Sequence, residues 1–332
     1  MKKSFCLIVI SFSVVIIAFI ISCKNKASDT KEIKISNSDT LPLSKKEKAL
    51  NFMVIGDWGR NGDYNQCDVA NQMNYYAHEY DVKFVISTGD NFYINGVRSI
   101  DDPQWIYSFE NVYHGGSLQT DWYIALGNHD YRGSVQAEID YTKKSRRWNM
   151  PARYFSIKEK IDKNDTACFV FYDSSPFISS YYKDGSPYNG VIGQDTIKQL
   201  KWLDSILYNT KTQWKFVVGH HPIFSGSVKH GTTPELNTYI KPILEKDNVQ
   251  AYFSGHEHSL QHIKPYGSKI DYFISGAGSQ TEEIGDVNGI CLFNYPKPGF
   301  EFVSLTTDSL KSFFINHEGK VLYKYSRARW DN

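Results

Sequence analysis

The sequence predicts a layered α/β protein with β-sheets at its centre and helices on the outside. Short apolar runs of strand length recur between residues 52 and 303, and such runs are typical of buried strands. Segments whose apolar residues repeat every three to four positions lie between some of these runs, as in amphipathic helices. Strands and helices alternate at first, whereas strands follow one another toward the C-terminus.

At least eight strands and three helices are predicted. The strands cover residues 52–55, 84–86, 122–126, 168–172, 216–218, 251–253, 272–274 and 299–303. The helices cover residues 69–80, 197–207 and 236–244. In open α/β sheets, ligands bind beyond the carboxyl ends of the strands. A functional site is therefore expected in the turns that follow the strands.

Five short motifs each follow an apolar run. They are Gly56-Asp57-Trp58-Gly59, Gly89-Asp90-Asn91-Phe92-Tyr93, Gly127-Asn128-His129-Asp130, Gly219-His220-His221-Pro222 and Gly255-His256-Glu257-His258. The glycines permit tight turns and a close approach of the backbone to bound ions or phosphate. Each motif taken singly is also explained by a plain turn, a helix cap or a strand end. Five such turns after strands in one chain are not expected by accident.

The motifs supply seven side chains that can bind metal ions. They are Asp57, Asp90, Tyr93, Asn128, His220, His256 and His258. This set is large enough to hold two ions. Because two-metal sites stabilise the attacking and leaving oxygens of a phosphoryl group, the set indicates phosphoester hydrolysis.

Composition sets broader limits. The chain has 332 residues, and its formal net charge is +1, from 37 basic and 36 acidic residues. Without an overall basic excess, nucleic acid is not expected as a partner, although a local basic patch is left open. Cys67, Cys168 and Cys291 follow the N-terminal region, and their spacing excludes a disulfide framework or a thiolate zinc site. One disulfide with one free thiol and three buried thiols are both compatible with this number.

The N-terminus has the pattern of an export signal. Two lysines precede an apolar stretch over residues 5–21, as in a secretory signal peptide. Residues 20–23, which end in Ser22-Cys23, resemble the lipobox of bacterial lipoproteins. In that family the signal is removed before the cysteine, which then carries lipid. An uncleaved membrane anchor is the alternative, because the apolar stretch is long enough to span a bilayer.

The chain is accordingly divided into three parts. Residues 1–22 are interpreted as a lipoprotein signal peptide, the polar residues 23–48 as a flexible tether, and residues 49–332 as one catalytic domain. The domain is expected outside the cytoplasm, anchored to the bacterial cell envelope on the periplasmic side or at the cell surface.

The five motifs resemble those of the purple acid phosphatases, a branch of the calcineurin-like metallophosphoesterases. The matching elements are Asp57-x-Gly59, Gly89-Asp90-x-x-Tyr93, Gly127-Asn128-His129-Asp130, Val217-x-x-His220 and Gly255-His256-x-His258. The resemblance covers nearly all of residues 52–278 and is greatest for the small, animal tartrate-resistant type. It implies the calcineurin-like metallophosphoesterase fold, a central β-sandwich flanked by helices.

The resemblance also implies a binuclear metal centre. Its first metal takes Asp57, Asp90, Tyr93 and His258, and its second takes Asp90, Asn128, His220 and His256, so that Asp90 bridges the two. Carboxylate and phenolate favour Fe(III), whereas imidazole and amide suit a divalent ion, either Fe, Zn or Mn. Tyr93 is the discriminating ligand, because many relatives in the wider superfamily carry His there and use paired divalent metals. A Tyr phenolate bound to Fe(III) gives the family its purple colour.

Two further histidines are implied as catalytic residues. By resemblance, His129 contacts the substrate phosphate or protonates the leaving oxygen. His230, in Val228-Lys229-His230-Gly231, matches a second family histidine with a similar role, and its alternative is a surface-loop histidine. His221 departs from the tartrate-resistant type, which usually has Tyr there, and no catalytic role is assigned to it.

The implied function is a two-metal acid phosphatase that hydrolyses phosphate monoesters by attack of a metal-bound hydroxide. The second interpretation is a phosphodiesterase, or a nucleotide or phospholipid hydrolase, of the same superfamily. The third is a cell-surface binding protein whose catalytic site has decayed. Small phosphorylated molecules are the expected substrates, and the expected form is a monomer held at the membrane by lipid on Cys23. Residues 173–191, the largest irregular stretch near the motifs, are a candidate lid.

Replacing Cys23 tests the lipoprotein interpretation. Cys23→Ala should abolish incorporation of radiolabelled fatty acid, because the substitution removes the expected attachment atom. Cys291→Ala, which leaves the N-terminal segment intact, should incorporate the label normally. Undiminished labelling of the Cys23→Ala protein would show that lipid is not attached at this residue.

Overall fold

The computed structural model describes residues 41–43, 48–284 and 290–330. The predicted signal peptide and most of the predicted tether lie outside the described residues. Within the tether, Leu41 is buried, and its backbone N–H donates a hydrogen bond to the Tyr80 hydroxyl over 2.9 Å. No helix within the described ranges combines the length and the apolar character that a bilayer span requires.

Two seven-stranded sheets form the centre of the molecule. The strands are β1 (Leu50–Ile55), β2 (Phe84–Ser87), β3 (Asp121–Ile124), β4 (Trp148–Asn149), β5 (Phe155–Lys160), β6 (Thr166–Phe171), β7 (Trp214–Val218), β8 (Ala251–Ser254), β9 (Leu260–Ile263), β10 (Asp271–Ser275), β11 (Cys291–Tyr295), β12 (Gly299–Leu305), β13 (Ser309–Asn316) and β14 (Val321–Ala328). The helices are α1 (Gln66–Glu79), α2 (Val135–Tyr141), α3 (Thr196–Asn209), α4 (Pro234–Tyr239) and α5 (Lys241–Lys246). The predicted layered α/β fold, with central sheets flanked by helices, is confirmed.

Each sheet combines a parallel block of strands with antiparallel strands. The first sheet has the order β14-β13-β12-β1-β2-β3-β4, in which β1 to β4 run parallel and β12 pairs antiparallel with β1. The second has the order β11-β9-β10-β8-β7-β6-β5, in which β6, β7, β8 and β10 run parallel. Both sheets therefore present several carboxyl strand ends, where ligand-binding loops are expected.

The interior between the sheets is aromatic. Phe52 of β1 is fully buried, and its ring centroid lies 5.1 Å from that of Phe169 in β6 and 6.0 Å from that of Phe253 in β8. Burial of such a ring contributes about 1.5–3 kcal/mol to folding. Cys168 of β6 is also buried, and Cys168 and Cys291 are free thiols, so no disulfide joins these two cysteines.

The structure differs from the predicted elements mainly at the sheet margins. Six strands and α2 were not predicted, and four of the six, β4, β5, β11 and β14, are edge strands. Edge strands carry polar residues toward solvent, and β14 accordingly alternates between partly buried and exposed positions along its second half. The predicted helix over residues 236–244 is divided into α4 and α5, because Pro242 lacks the N–H that would continue it.

A buried ionic cluster joins β14 of the first sheet to β9 and β10 of the second. Its centre is Asp271, whose carboxylate lies 2.5 Å from Arg327 Nε, 2.8 Å from Lys264 Nζ and 3.2 Å from His262 Nε2. Burial opposes ionisation of Asp271, but the hydrogen bond from His262 and the charges of Lys264 and Arg327 lower its pKa to about 2. The cluster stabilises the margins of the sandwich. His262 is part of it and therefore has a structural role.

Candidate metal centre

The seven predicted ligands lie at one edge of the sandwich, where both sheets present the carboxyl ends of parallel strands. Asp57 follows β1, Asp90 and Tyr93 follow β2, Asn128 follows β3, His220 follows β7, and His256 and His258 follow β8. The first sheet thus supplies the carboxylates, the phenol and the amide, and the second sheet supplies the imidazoles. Their role as metal ligands stays a prediction.

The first group of donor atoms surrounds the Tyr93 hydroxyl. This oxygen lies 2.8 Å from Asp57 Oδ1, 2.9 Å from Asp90 Oδ2 and 2.9 Å from His258 Nε2. His258 Nε2 is in turn 3.4 Å from Asp57 Oδ1. Four donor atoms from three loops are therefore close enough to share one cation.

The second group surrounds His220 Nε2. This nitrogen lies 3.2 Å from Asn128 Oδ1, 3.2 Å from His256 Nδ1 and 3.4 Å from Asp90 Oδ1. One carboxylate oxygen of Asp90 thus faces each group. A ligand that bridges two cations must have this position.

The tautomer of His220 suits a ligand. Its Nδ1 lies 3.0 Å from the Thr88 carbonyl oxygen, which can only accept a hydrogen bond, so the neutral ring carries its proton on Nδ1. The lone pair of Nε2 is then directed at the site, as in metal-binding histidines whose second nitrogen is bonded to the backbone.

The chemistry of the donors fits two cations. Asp57 and Asp90 are almost completely buried, and buried carboxylates are costly unless positive charge is near. Burial, with the charges of these two carboxylates, raises the pKa of the Tyr93 phenol well above its usual range. Cations beside the three oxygens would lower both the cost of the carboxylates and the pKa of the phenol.

Glycines let the backbone come close to both carboxylates. A Cβ on Gly127 would lie 2.2 Å from Asp90 Oδ1, and a Cβ on Gly255 would lie 2.4 Å from Asp57 Oδ2. Both distances are shorter than any non-bonded contact, so a larger residue at either position would displace a carboxylate. The glycines thus permit a close approach of the backbone to the carboxylates, whereas the expected approach to bound ions or phosphate stays a prediction.

Three of the ligand residues adopt a left-handed backbone. The φ angles are 59° for Asp57, 49° for Asp90 and 69° for His256. Few residues other than glycine adopt this region, although Asn, Asp and His do so more often than most. Such conformations cluster at functional sites, where the surrounding structure imposes them.

Residues between the ligands anchor the loops in the interior. Trp58 and Phe92, which follow Asp57 and precede Tyr93, are fully buried with ring centroids 5.4 Å apart. The Trp58 Nε1–H donates to Ser87 Oγ over 2.9 Å. Each loop therefore directs its ligands toward the site and its aromatic residue into the core.

Asp130 ties two ligand loops together, a role that the sequence analysis missed. Its carboxylate accepts hydrogen bonds from the backbone N–H groups of Asn91 at 2.9 Å and Gly127 at 2.8 Å. Burial, with the charges of Glu138 and Asp90, raises the pKa of Asp130 well above its usual range. The available sequence signal was its place at the end of the third motif.

Glu257 has a similar role and was also missed. Its Oε1 accepts hydrogen bonds from the Ser225 hydroxyl at 2.9 Å and from the Gly231 N–H at 2.8 Å. These bonds hold the loop that carries His230 against the motif that carries His256 and His258. Its position between two ligands was the available signal in the sequence.

The two predicted catalytic histidines line one cavity of about 500 Å³ beside the ligands. His129 Nδ1 donates to the Ile94 carbonyl oxygen over 2.6 Å, and its Nε2 lies 3.9 Å from Asp90 Oδ2. Burial lowers the pKa of His129, although the charge of Asp90 opposes this effect. His230 lies on an exposed loop, with its ring centroid 4.4 Å from that of His256.

His221 lies close to the second group but is occupied elsewhere. One of its ring nitrogens lies within 4.8 Å of a ring nitrogen of His220 and of one of His256. However, Nδ1 is 2.8 Å from the Ser174 hydroxyl oxygen and Nε2 is 2.7 Å from the Tyr181 hydroxyl oxygen. Burial, with the charge of His220, lowers the pKa of His221 well below its usual value. A neutral ring with both nitrogens hydrogen-bonded suits a structural role, so Asn128 stays the predicted ligand at this position.

The candidate lid forms one wall of the cavity. Residues 173–191 contain three short 3₁₀ turns, over Ser175–Phe177, Ser179–Tyr182 and Asn189–Val191. Side chains of Ile178, Tyr181 and Tyr188 from this segment line the cavity together with the histidines. Closure of the segment over substrate stays a prediction.

The sequence profile of the calcineurin-like phosphoesterases matches residues 50–260 of the chain. Purple acid phosphatase 4 of Arabidopsis thaliana is 40% identical over 291 residues, which are 85% of this chain and 84% of that protein. Tartrate-resistant acid phosphatase type 5 of Oryctolagus cuniculus is 32% identical over 298 residues, 83% of this chain and 90% of that protein. The plant enzyme shares more identical residues than the rabbit enzyme, so the expected greater likeness to the animal type is wrong.

Solved structures show the same fold. GAP50, the anchor in the inner membrane complex of Plasmodium, superposes with a TM-score of 0.74 at 24% identity, over 86% of this chain and 90% of that one. Purple acid phosphatase PPD1 from yellow lupin seeds superposes with a TM-score of 0.63 at 15% identity, over 85% of this chain and 54% of that one. The profile match and the sequence identities show that the chain is a hydrolase of the calcineurin-like phosphoesterases and belongs, within them, to the purple acid phosphatases.

Proposed function

We propose that the chain is an acid phosphatase that hydrolyses phosphate monoesters at a binuclear metal centre. The observation that carries the proposal is the position of Asp90, whose Oδ2 lies 2.9 Å from the Tyr93 hydroxyl and whose Oδ1 lies 3.4 Å from His220 Nε2. One buried carboxylate thereby faces two separate donor groups. This arrangement suits a pair of cations better than a single one.

The two donor groups differ in charge. Asp57, Asp90 and Tyr93 offer hard anionic oxygens, which favour Fe(III), and His258 completes this group. Asn128, His220 and His256 offer neutral donors beside Asp90, which suit divalent Fe, Zn or Mn. When bound, such a pair activates water as the nucleophile and offsets the negative charge of the phosphoryl group.

His129 is proposed to protonate the leaving oxygen. The bond from its Nδ1–H to the Ile94 carbonyl oxygen fixes the ring, so Nε2 is the atom available to the cavity. In the imidazolium form, Nε2–H can donate its proton to the departing alcohol. His230, held by the loop that Glu257 fixes, is proposed to bind a phosphate oxygen from the exposed side of the cavity.

Two other functions are less well supported. A phosphodiesterase would have to fit a second ester substituent into a cavity of about 500 Å³ whose wall is formed by residues 173–191. A decayed binding protein is a realistic alternative, since GAP50 is named as an anchor. That likeness concerns the fold alone, however, and this chain retains all seven proposed ligand residues.

We also propose that the enzyme is exported and held at the cell envelope as a lipid-anchored monomer. The support is the basic and apolar N-terminus that ends at Cys23, a region outside the described residues. The labelling experiment with Cys23→Ala tests the anchor, and sedimentation of the enzyme tests the monomer.

Asp90→Asn tests the binuclear centre. The wild-type enzyme should hydrolyse 4-nitrophenyl phosphate far faster than bis(4-nitrophenyl) phosphate. Asp90→Asn removes the charge shared by both donor groups, so elemental analysis should show loss of metal together with turnover. Asp308→Asn, at an exposed position, should retain both. A wild-type metal content and rate in Asp90→Asn would exclude the bridging role.

His129→Ala tests the acid. Metal content should stay nearly unchanged, while kcat should fall by roughly 10²–10⁴-fold, the range for general acid–base groups. The loss should be smaller for 4-nitrophenyl phosphate than for alkyl phosphates, because a good leaving group needs little protonation. His78→Ala, on the exposed face of α1, should have wild-type kinetics. An equal loss for good and poor leaving groups would assign His129 to phosphate positioning instead.

Tyr93→Phe tests the presence of Fe(III). A phenolate on Fe(III) absorbs visible light by charge transfer, so the oxidised, iron-loaded enzyme should be violet to pink. Tyr93→Phe deletes the ligand oxygen, and the visible band should vanish even where iron analysis shows that iron remains. Tyr188→Phe removes a hydroxyl that accepts a hydrogen bond from Arg132 rather than facing the donor groups, so this variant should keep the band. A colourless, fully active enzyme that contains only zinc or manganese would disprove the Fe(III) site.

A further inference from the structure

Two fixed tyrosine rings stand on one side of the cavity, and we name Tyr181 and Tyr188 the tyrosine wall. We propose that the wall selects phosphate monoesters whose leaving group carries a planar aromatic ring. This proposal rests on the proposed phosphomonoesterase function and deepens it by naming the substrate class.

Both rings of the tyrosine wall are held in place before substrate binds. The Tyr188 hydroxyl accepts a hydrogen bond from Arg132 Nη2 over 2.6 Å, and the Arg132 guanidinium lies 4.8 Å from the centroid of the ring. The Tyr181 hydroxyl lies 2.7 Å from His221 Nε2, and the two tyrosine centroids are 4.4 Å apart. Rigid aromatic surfaces lose little conformational entropy on binding, so they can contribute much of their contact energy.

The tyrosine wall lies beside the expected position of the leaving group. The Tyr188 ring centroid is 6.3 Å from that of His129, the residue proposed to protonate the leaving oxygen. The organic part of the ester begins at that oxygen and extends away from the metal ligands. A cavity of about 500 Å³ has room for a phosphate and a ring-sized substituent.

The charges around the cavity disfavour a leaving group with further negative charge. Among the described residues that line the cavity, Lys229 is the single Lys or Arg, and its ammonium group is paired with Glu282. The Glu235 carboxylate also lines the cavity and accepts a hydrogen bond from the Ser179 N–H over 3.1 Å. A second phosphate on the substrate would meet no unpaired lysine or arginine here. An aromatic ring would meet Tyr188, Tyr181 and the apolar side chain of Ile178.

The experiment compares esters whose alcohols have similar acidity, so that the demand for protonation is the same. The substrates are ethyl phosphate, 2-phenylethyl phosphate and 2-cyclohexylethyl phosphate. Wild-type kcat/KM should be about tenfold higher for 2-phenylethyl phosphate than for ethyl phosphate, with most of the change in KM. The cyclohexyl ester, which has similar size but no π-system, should be a poorer substrate than the phenyl ester by a few-fold.

Variants of Tyr188 test whether its ring causes the preference for the phenyl ester. Tyr188→Ser should bring the ratio of the phenyl ester to ethyl phosphate close to one, whereas Tyr188→Phe keeps the ring and should keep the ratio within about twofold. Tyr208→Ser replaces a tyrosine of α3 that is 65% exposed, and it should keep the wild-type ratio.

The possible outcomes separate this proposal from the function on which it rests. A wild-type ratio near one, equal rates for the phenyl and cyclohexyl esters, or a ratio that Tyr188→Ser leaves unchanged would each overturn the tyrosine wall as the selective element. Each of those results would still show phosphomonoester hydrolysis. Failure of the metal-loaded wild-type enzyme to hydrolyse both 4-nitrophenyl phosphate and the three esters would overturn the function itself, and the proposal with it. Hydrolysis of 4-nitrophenyl phosphate without any hydrolysis of the three esters would overturn the proposal alone.

Discussion

Two buried carboxylates, those of Asp57 and Asp90, constrain the rest of the structure. Removing carboxylates from water is costly unless hydrogen-bond donors and positive charge surround them. Backbone donors are close, since the His256 N–H lies 2.9 Å from Asp57 Oδ2 and the His129 N–H lies 2.7 Å from Asp90 Oδ1. The carboxylates follow strands of the first sheet, and the histidines among the predicted ligands follow strands of the second. The site therefore exists only where the two sheets meet.

The segment over residues 173–191 is joined to this site by His221. The Ser174 and Tyr181 hydroxyl groups, both in the segment, occupy the two ring nitrogens of His221, the residue next to the ligand His220. A histidine here, in place of the tyrosine usual in the tartrate-resistant type, thus has a structural reason. It provides two hydrogen-bonding atoms on opposite sides of one ring, which a phenol lacks. The tyrosine wall is consequently positioned by a contact made within the site itself.

The sequence predicted the centre of the molecule better than its margins. Central strands such as β1 and β8 are buried on both faces, so their sequences are apolar runs. In the second half of β14, partly buried and exposed residues alternate, so its sequence contains no such run. The ligand loops were found because glycine, carboxylate and histidine repeat after those same strands. Both the central strands and the ligand loops could therefore be predicted from residues that are close together in the sequence.

Contacts between distant parts of the chain could not be found in this way. Asp130 reaches the N–H of Asn91, and Glu257 reaches the N–H of Gly231, and neither bond follows from residue spacing. Arg132 offered no signal either, because its contact with Tyr188 depends on how an irregular segment folds back over the site. The burial of Leu41, within a stretch that is polar overall, likewise depends on the surface that it meets.

The left-handed backbone of Asp57, Asp90 and His256 has an evolutionary consequence. Each conformation costs an L-residue about 1 kcal/mol more than it costs glycine. Glycine at these positions would avoid that backbone cost, but at Asp57 and Asp90 it would also remove the carboxylates that accept the N–H groups of His256 and His129. Asp and His at all three positions therefore carry a backbone cost that their predicted role as metal ligands would explain. The same three backbone positions offer a way to separate enzymes of this fold from relatives that have kept only its shape.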